Sequence, residues 1–211
     1  MAERHSSLIP TASSLVNPVV IERLRACIAK GDLPPGYSDG LGASAPELIP
    51  AAVLVPLVVR DSGITVLLTQ RTAHLNDHAG QVSFPGGRRD DTDPDLIFTA
   101  LREAQEEVGL EPSSAEVLGT LPEYFTGTGF RVTPVVARVT PPLNIKLDDF
   151  EVAEVFEVPF DYLMNRSNWR QDSLERRGQI RQFWATDWNG FYIWGATAGM
   201  LVNLMTLLET C

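Results

Sequence analysis

An α/β (α+β) fold, a mixed β-sheet sandwiched between helices behind an N-terminal helical extension, follows from three observations in this 211-residue sequence. Short β-branched apolar runs recur on both sides of one strongly amphipathic stretch at 95–108. An apolar stretch at 196–208 closes the chain as a second helix. Gly, Pro and Asn-Gly punctuation separates these runs at the spacing of strands and turns, which is the pattern of helices layered on a sheet.

Residues 1–16 are polar and contain proline, and a frayed start is expected. Asn17-Pro18 reads as a helix opening, and Val20, Leu24 and Ile28 recur at helical spacing up to Lys30-Gly31. Residues 31–49 are rich in Gly, Pro and Ser and read as a linker. The sequence thus divides into an extension, 1–49, and a domain, 50–211. Residues 51–59 and 64–69 read as a hairpin about Asp61-Ser62-Gly63. Residues 81–84 form a short strand entering the turn Pro85-Gly86-Gly87. Strands are expected at 117–121, 132–139 and 155–158, and a helical turn at 160–165. A hairpin is expected about Asn189-Gly190, joining 179–186 to 191–194.

The helix at 95–108 carries the chemistry. Ile97, Leu101, Ala104 and Val108 form its apolar stripe. Thr92 or Asp93 is expected at its cap, Pro94 in its first turn and Gly109 at its end. With about 100° per residue, Glu103, Glu106 and Glu107 fall roughly 180–280° from Ile97, on one face away from the stripe. Three carboxylates at i, i+3 and i+4 repel one another. A solvated acidic face is the ordinary meaning of such a run. Its place after a strand, Gly-Gly and an acidic loop points instead to a site for a hard divalent cation.

Composition sets the surroundings. A formal net charge of −10 is a poor match for nucleic acid, which selects basic surfaces. No apolar run reaches membrane-spanning length, and the first residues lack the apolar core of a signal peptide, so a cytoplasmic protein without a membrane partner is expected. Cys27 and Cys211 stand near opposite ends, outside any metal or redox spacing, and read as two ordinary thiols. The first and last helices would each suit either a homodimer or packing on the chain's own core.

The run from Gly87 through Leu110 resembles the Nudix box, Gly-x5-Glu-x7-Arg-Glu-U-x-Glu-Glu-x-Gly-U, where U is bulky and apolar. Arg102, Glu103, Glu106, Glu107, Gly109 and Leu110 match. Asp93 stands where the first Glu is expected, one extra residue precedes Arg102, and Ala104 replaces a bulky residue. The resemblance implies a Nudix fold and metal-dependent hydrolysis of a nucleoside diphosphate derivative. It implies Mg²⁺ or Mn²⁺ held by Glu103, Glu106 and Glu107, with Asp93 as a further ligand and Arg102 orienting a glutamate.

Upstream, Leu67-Leu68-Thr69-Gln70-Arg71-Thr72 and Gly80-Gln81-Val82-Ser83-Phe84-Pro85-Gly86-Gly87 are similar to the second signature of the coenzyme A diphosphatase branch. Thr72 replaces the signature Ser and Asn76 the signature Arg. The branch's reaction yields 3′,5′-ADP and 4′-phosphopantetheine. It implies substrate contacts from Arg71, Thr72, Asn76, Gly86, Gly87 and Arg88, with His74, His78 and Arg89 as substitutes for the missing Arg. Glu107 or Glu151 is expected as the base. Tyr124, Phe125, Phe130 and the Trp-rich tail are candidates for a wall against the adenine. ADP-ribose or NADH is the alternative small-molecule substrate, and a ligand-binding module without turnover is the remaining reading.

Overall fold

The structure is a computed structural model. It describes residues 12–30, 38, 48–74, 79–176 and 179–211. Asn76 and His78 lie outside the described residues, as does most of the expected linker.

Eight strands form one mixed sheet. Its path runs β3 (Val82–Ser83), β2 (Gly63–Arg71), β1 (Ile49–Arg60), β7 (Phe130–Val139) and β5 (Ala115–Thr120). Off this path, β4 (Gly86–Arg88) pairs with β1, β6 (Tyr124–Phe125) with β7, and β8 (Val152–Pro159) with β2. The β1–β7 pairing is parallel over its whole length, from Ile49↔Phe130 to Val58↔Val139, while the other pairings are antiparallel. A second sheet is formed by β9 (Arg170–Arg176), β10 (Gln179–Trp188) and β11 (Phe191–Trp194). Its β10–β11 hairpin turns at Asn189 (φ 48°) and Gly190 (φ 89°), the left-handed pair that an Asn-Gly turn supplies.

The alternation along β1 builds two cores, because successive side chains leave a strand on opposite faces. Ala51, Val55 and Leu57 join α1 (Ala12–Ala29) and α4 (Gly195–Thr210) on one face. Ala52, Leu54 and Val58 meet Ala100, Ala104 and Val108 of α2 (Leu96–Val108) on the other. The expected sandwich is present, and α1 belongs to it: Ile21, Leu24, Cys27 and Ile28 are core residues. The buried faces of α1 and α4, considered above for a homodimer, pack on the chain's own core.

Several local expectations are corrected. Asn17 does not open α1: the helix already runs from Ala12, Pro18 lies inside it, and the buried Asn17 amide donates to the Arg60 carbonyl. The cap of α2 is Asp95, whose side chain accepts the Phe98 N–H, so Thr92, Asp93 and Pro94 precede the helix. Gly109 (φ 70°) ends it as expected. Gly86-Gly87 is not a turn but the start of β4, paired with Val53 and Ala52. Only glycine fits at 86, where an added Cβ would stand 2.4 Å from the Ala52 carbonyl oxygen.

The cysteines are not free. Cys27 at the end of α1 and Cys211 after α4 form a disulfide across 184 residues of sequence, with Cα atoms 5.8 Å apart. Both helices pack on the same sheet face, so their C-terminal ends meet although their sequences do not suggest it.

Candidate active site

β4 lies along α2 and turns its carboxylate face into a wall. An added Cβ at Gly87 would stand 2.4 Å from Glu103 Oε2, so the backbone of β4 is in close contact with that carboxylate. One residue earlier, the Gly86 N–H donates to Glu107 Oε2 at 3.1 Å. The three glutamates are therefore unequal, which the helical wheel could not show. Glu107 is only 5% exposed, Glu103 is half-buried, and the Glu106 side chain is 60% exposed. Burial raises the pKa of Glu103, and it pushes that of Glu107 to about 8 against the Gly86 hydrogen bond and the Arg71 charge. Glu103 and Glu151 add to the push on Glu107 by like-charge repulsion.

Two arginines hold this row. Arg102 contacts Glu106 Oε2 through Nη1 and Glu103 Oε1 through Nη2, each at 2.9 Å. It also forks onto Asp93, Nε to Oδ1 and Nη2 to Oδ2, both at 3.0 Å. Arg71, at the end of β2, reaches Glu107 Oε1 at 3.6 Å with one nitrogen and Glu151 Oε2 at 3.5 Å with the other. Glu151 thus joins the α2 glutamates through Arg71, as β8 follows antiparallel beside β2.

Asp93 is placed differently from the expectation. It is 2% exposed, and its carboxylate accepts from Arg102, Thr99 Oγ1 and the Asp90 N–H. With its oxygens taken by protein donors, it seats Arg102. Arg102 holds its pKa well below the usual carboxylate range. Thr72 is buried and its hydroxyl donates to the Phe150 carbonyl. The Arg88 guanidinium lies 5.3 Å from the centre of the Phe130 ring, on the strand face opposite Glu103, while its carbonyl accepts from Arg102. Tyr124 is fully buried against Gly199 and offers no wall to a ligand.

Among the described residues no three His, Cys, Asp or Glu side chains stand close enough together to hold a metal ion as they are placed. Glu103, Glu106 and Glu107 nonetheless fit a hard cation chemically. They are oxygen donors on one helix face, and buried Glu107 carries a raised pKa that a cation would relieve.

The Nudix domain profile matches residues 48–176. The chain belongs to the Nudix family. Similar relatives are the uncharacterized Nudix hydrolases NudL of Citrobacter koseri, 46% identical, and of Escherichia coli O1:K1, 44% identical. Each match runs over 154 residues, 73% of this chain and 80% of the relative. Among solved structures, a MutT/nudix family protein from Enterococcus faecalis shares the fold with a TM-score of 0.51 at 16% identity, over 86% of this chain and 67% of that one. The chain is a Nudix hydrolase acting on a pyrophosphate bond of a nucleoside diphosphate derivative, in a family that uses divalent cations. No helix among the described residues is long and apolar enough to cross a membrane.

Proposed function

We propose that the substrate is coenzyme A or one of its derivatives, cleaved to 3′,5′-ADP and 4′-phosphopantetheine with Mg²⁺ or Mn²⁺. The observation that carries this reading is the meeting of two sequence segments in one place. Arg71 and Gly86, both from the stretch similar to the coenzyme A diphosphatase signature, contact Glu107 of the Nudix box.

Glu103, Glu106 and Glu107 would hold the cation. Bound there, it would neutralise the diphosphate and lower the pKa of a water molecule. The chain's own residues supply the rest. Arg102, seated on Asp93, fixes the directions of Glu103 and Glu106. Arg71 keeps Glu151 beside Glu107 and offers a second cation to phosphate oxygens. Glu151, partly exposed and joined to Glu107 through Arg71, is assigned as the base that takes the proton of the attacking water. The water oxygen bonds to one phosphorus, its proton passes to the base, the bridging P–O bond breaks, and 3′,5′-ADP and 4′-phosphopantetheine leave.

The test is product identification with Mg²⁺ or Mn²⁺ and coenzyme A, ADP-ribose or NADH in turn. The expected result is 3′,5′-ADP from coenzyme A. AMP from ADP-ribose with coenzyme A left intact would replace this substrate assignment by the other.

A further inference from the structure

The carboxylate row accounts for the diphosphate but not for the base attached to it. Phe150 is 66% exposed, and it sits one residue before Glu151. Single exposed aromatics are common and by themselves mean little. The backbone around this one is tied from both sides. The Phe150 N–H donates to Asp148 Oδ1 at 2.9 Å, and its carbonyl accepts from Thr72 Oγ1 at 2.8 Å. The Thr72 N–H donates to the Glu151 carbonyl at 2.9 Å, and the Asp148 N–H donates to the Glu107 carbonyl at 3.0 Å. His74 meets the Phe150 ring at an edge, with centroids 5.0 Å apart and planes at 61°. The ring is therefore held on a fixed loop, open to solvent, next to the residues that face the diphosphate.

We propose that Phe150, braced by His74, is the platform on which the substrate's nucleobase stacks. This rests on the reading of the site as one for a nucleoside diphosphate derivative. A flat aromatic surface beside a phosphate site suits a purine, because every base offers a π-face and stacking needs no hydrogen-bond partner. The pantetheine arm, a flexible chain of amides and methylenes, has no ring to stack on it. Two of the aromatics considered for the wall are used otherwise: Tyr124 is in the core and Phe130 lies against Arg88. Thr72, read from sequence as a substrate contact, acts here as a positioning residue for Phe150.

The experiment compares wild type with Phe150→Ala, Phe150→Leu and Phe150→Trp. It measures KM and kcat on whichever nucleoside diphosphate derivative the wild type cleaves, and equilibrium binding of AMP and of base-free ribose 5-phosphate. Removing the ring should raise KM and weaken AMP binding about 5- to 100-fold. kcat and ribose 5-phosphate binding should stay unchanged, the mark of binding lost equally from ground and transition states. Phe150→Trp should retain wild-type KM and Phe150→Leu should not, which separates stacking from mere apolar contact. Unchanged KM and AMP affinity in Phe150→Ala would overturn the proposal, as would AMP binding wild type no better than ribose 5-phosphate. Wild-type protein that cleaves no nucleoside diphosphate derivative would fail the preceding reading instead. The AMP measurement then still decides this one, in favour if Phe150→Ala weakens it and against if it does not.

Discussion

Glu107→Gln should stabilise the metal-free protein while removing its activity. Glu107 is buried at the contact of α2 with β4, and burial raises its pKa from 4.5 to about 8. A carboxylate whose folded pKa lies above its unfolded value is protonated in both states below about pH 4.5 and contributes nothing there. As pH rises toward 8, the unfolded state ionises freely and the folded state does so at a cost, so stability falls through that window. At about 1.4 kcal/mol for each pH unit of the gap, the deficit is about 3 kcal/mol at pH 7 and about 5 kcal/mol above pH 8. Glutamine keeps the acceptor for the Gly86 N–H and cannot ionise. Urea unfolding in EDTA at pH 5, 7 and 8.5 tests this. Wild type should weaken across the series relative to Glu107→Gln, and the two should converge at pH 5. A Glu107→Gln protein less stable than wild type at pH 8.5 would refute the reasoning. It would mean that the Arg71 and Gly86 contacts outweigh the burial of the charge.

Asp93→Asn should lower the denaturation midpoint more than a substitution of the exposed Gln105 on α2, because it unseats Arg102; equal midpoints would contradict that seating role. Cys211→Ser, or reduction, should cost on the order of 5 kcal/mol in urea unfolding, from the freed chain entropy of a loop spanning 184 residues. An unchanged midpoint would contradict that disulfide's role. Gly87→Ala should depress kcat with less loss of stability, since its methyl group meets the carboxylate end of the Glu103 side chain rather than backbone. Gly86→Ala, blocked by the Ala52 carbonyl, should instead lower stability.

Much of the fold was readable because hydrophobic periodicity follows burial. The β1–β2 hairpin, α2 and α4 all stand within a few residues of where their patterns place them. What was missed has physical reasons. β4 begins with Gly-Gly, whose freedom reads as a turn, yet the same lack of a Cβ lets it run against β1 and Glu103. β9, Arg-Gln-Asp-Ser-Leu-Glu-Arg, is a polar edge strand with no alternation to betray it. Glu103, Glu106 and Glu107 were legible as one face of α2, but the wheel treats a helix as if it stood alone. Only β4 makes Glu107 the buried member. The pairing of Arg71 with Glu151, and of Cys27 with Cys211, depends on chain ends and strands that meet far apart in sequence. Phe150 left no trace: an aromatic between Asp149 and Glu151 reads as an ordinary loop residue until Thr72, Asp148 and His74 are seen to hold it.

The most direct test of the carboxylate row as the hydrolytic site is turnover of coenzyme A with Mg²⁺ or Mn²⁺ by wild type and by the Glu106→Gln, Glu107→Gln double variant. Release of 3′,5′-ADP should fall by about a hundredfold or more in the double variant, with its circular dichroism unchanged. A folded double variant that still forms 3′,5′-ADP at the wild-type rate would contradict it.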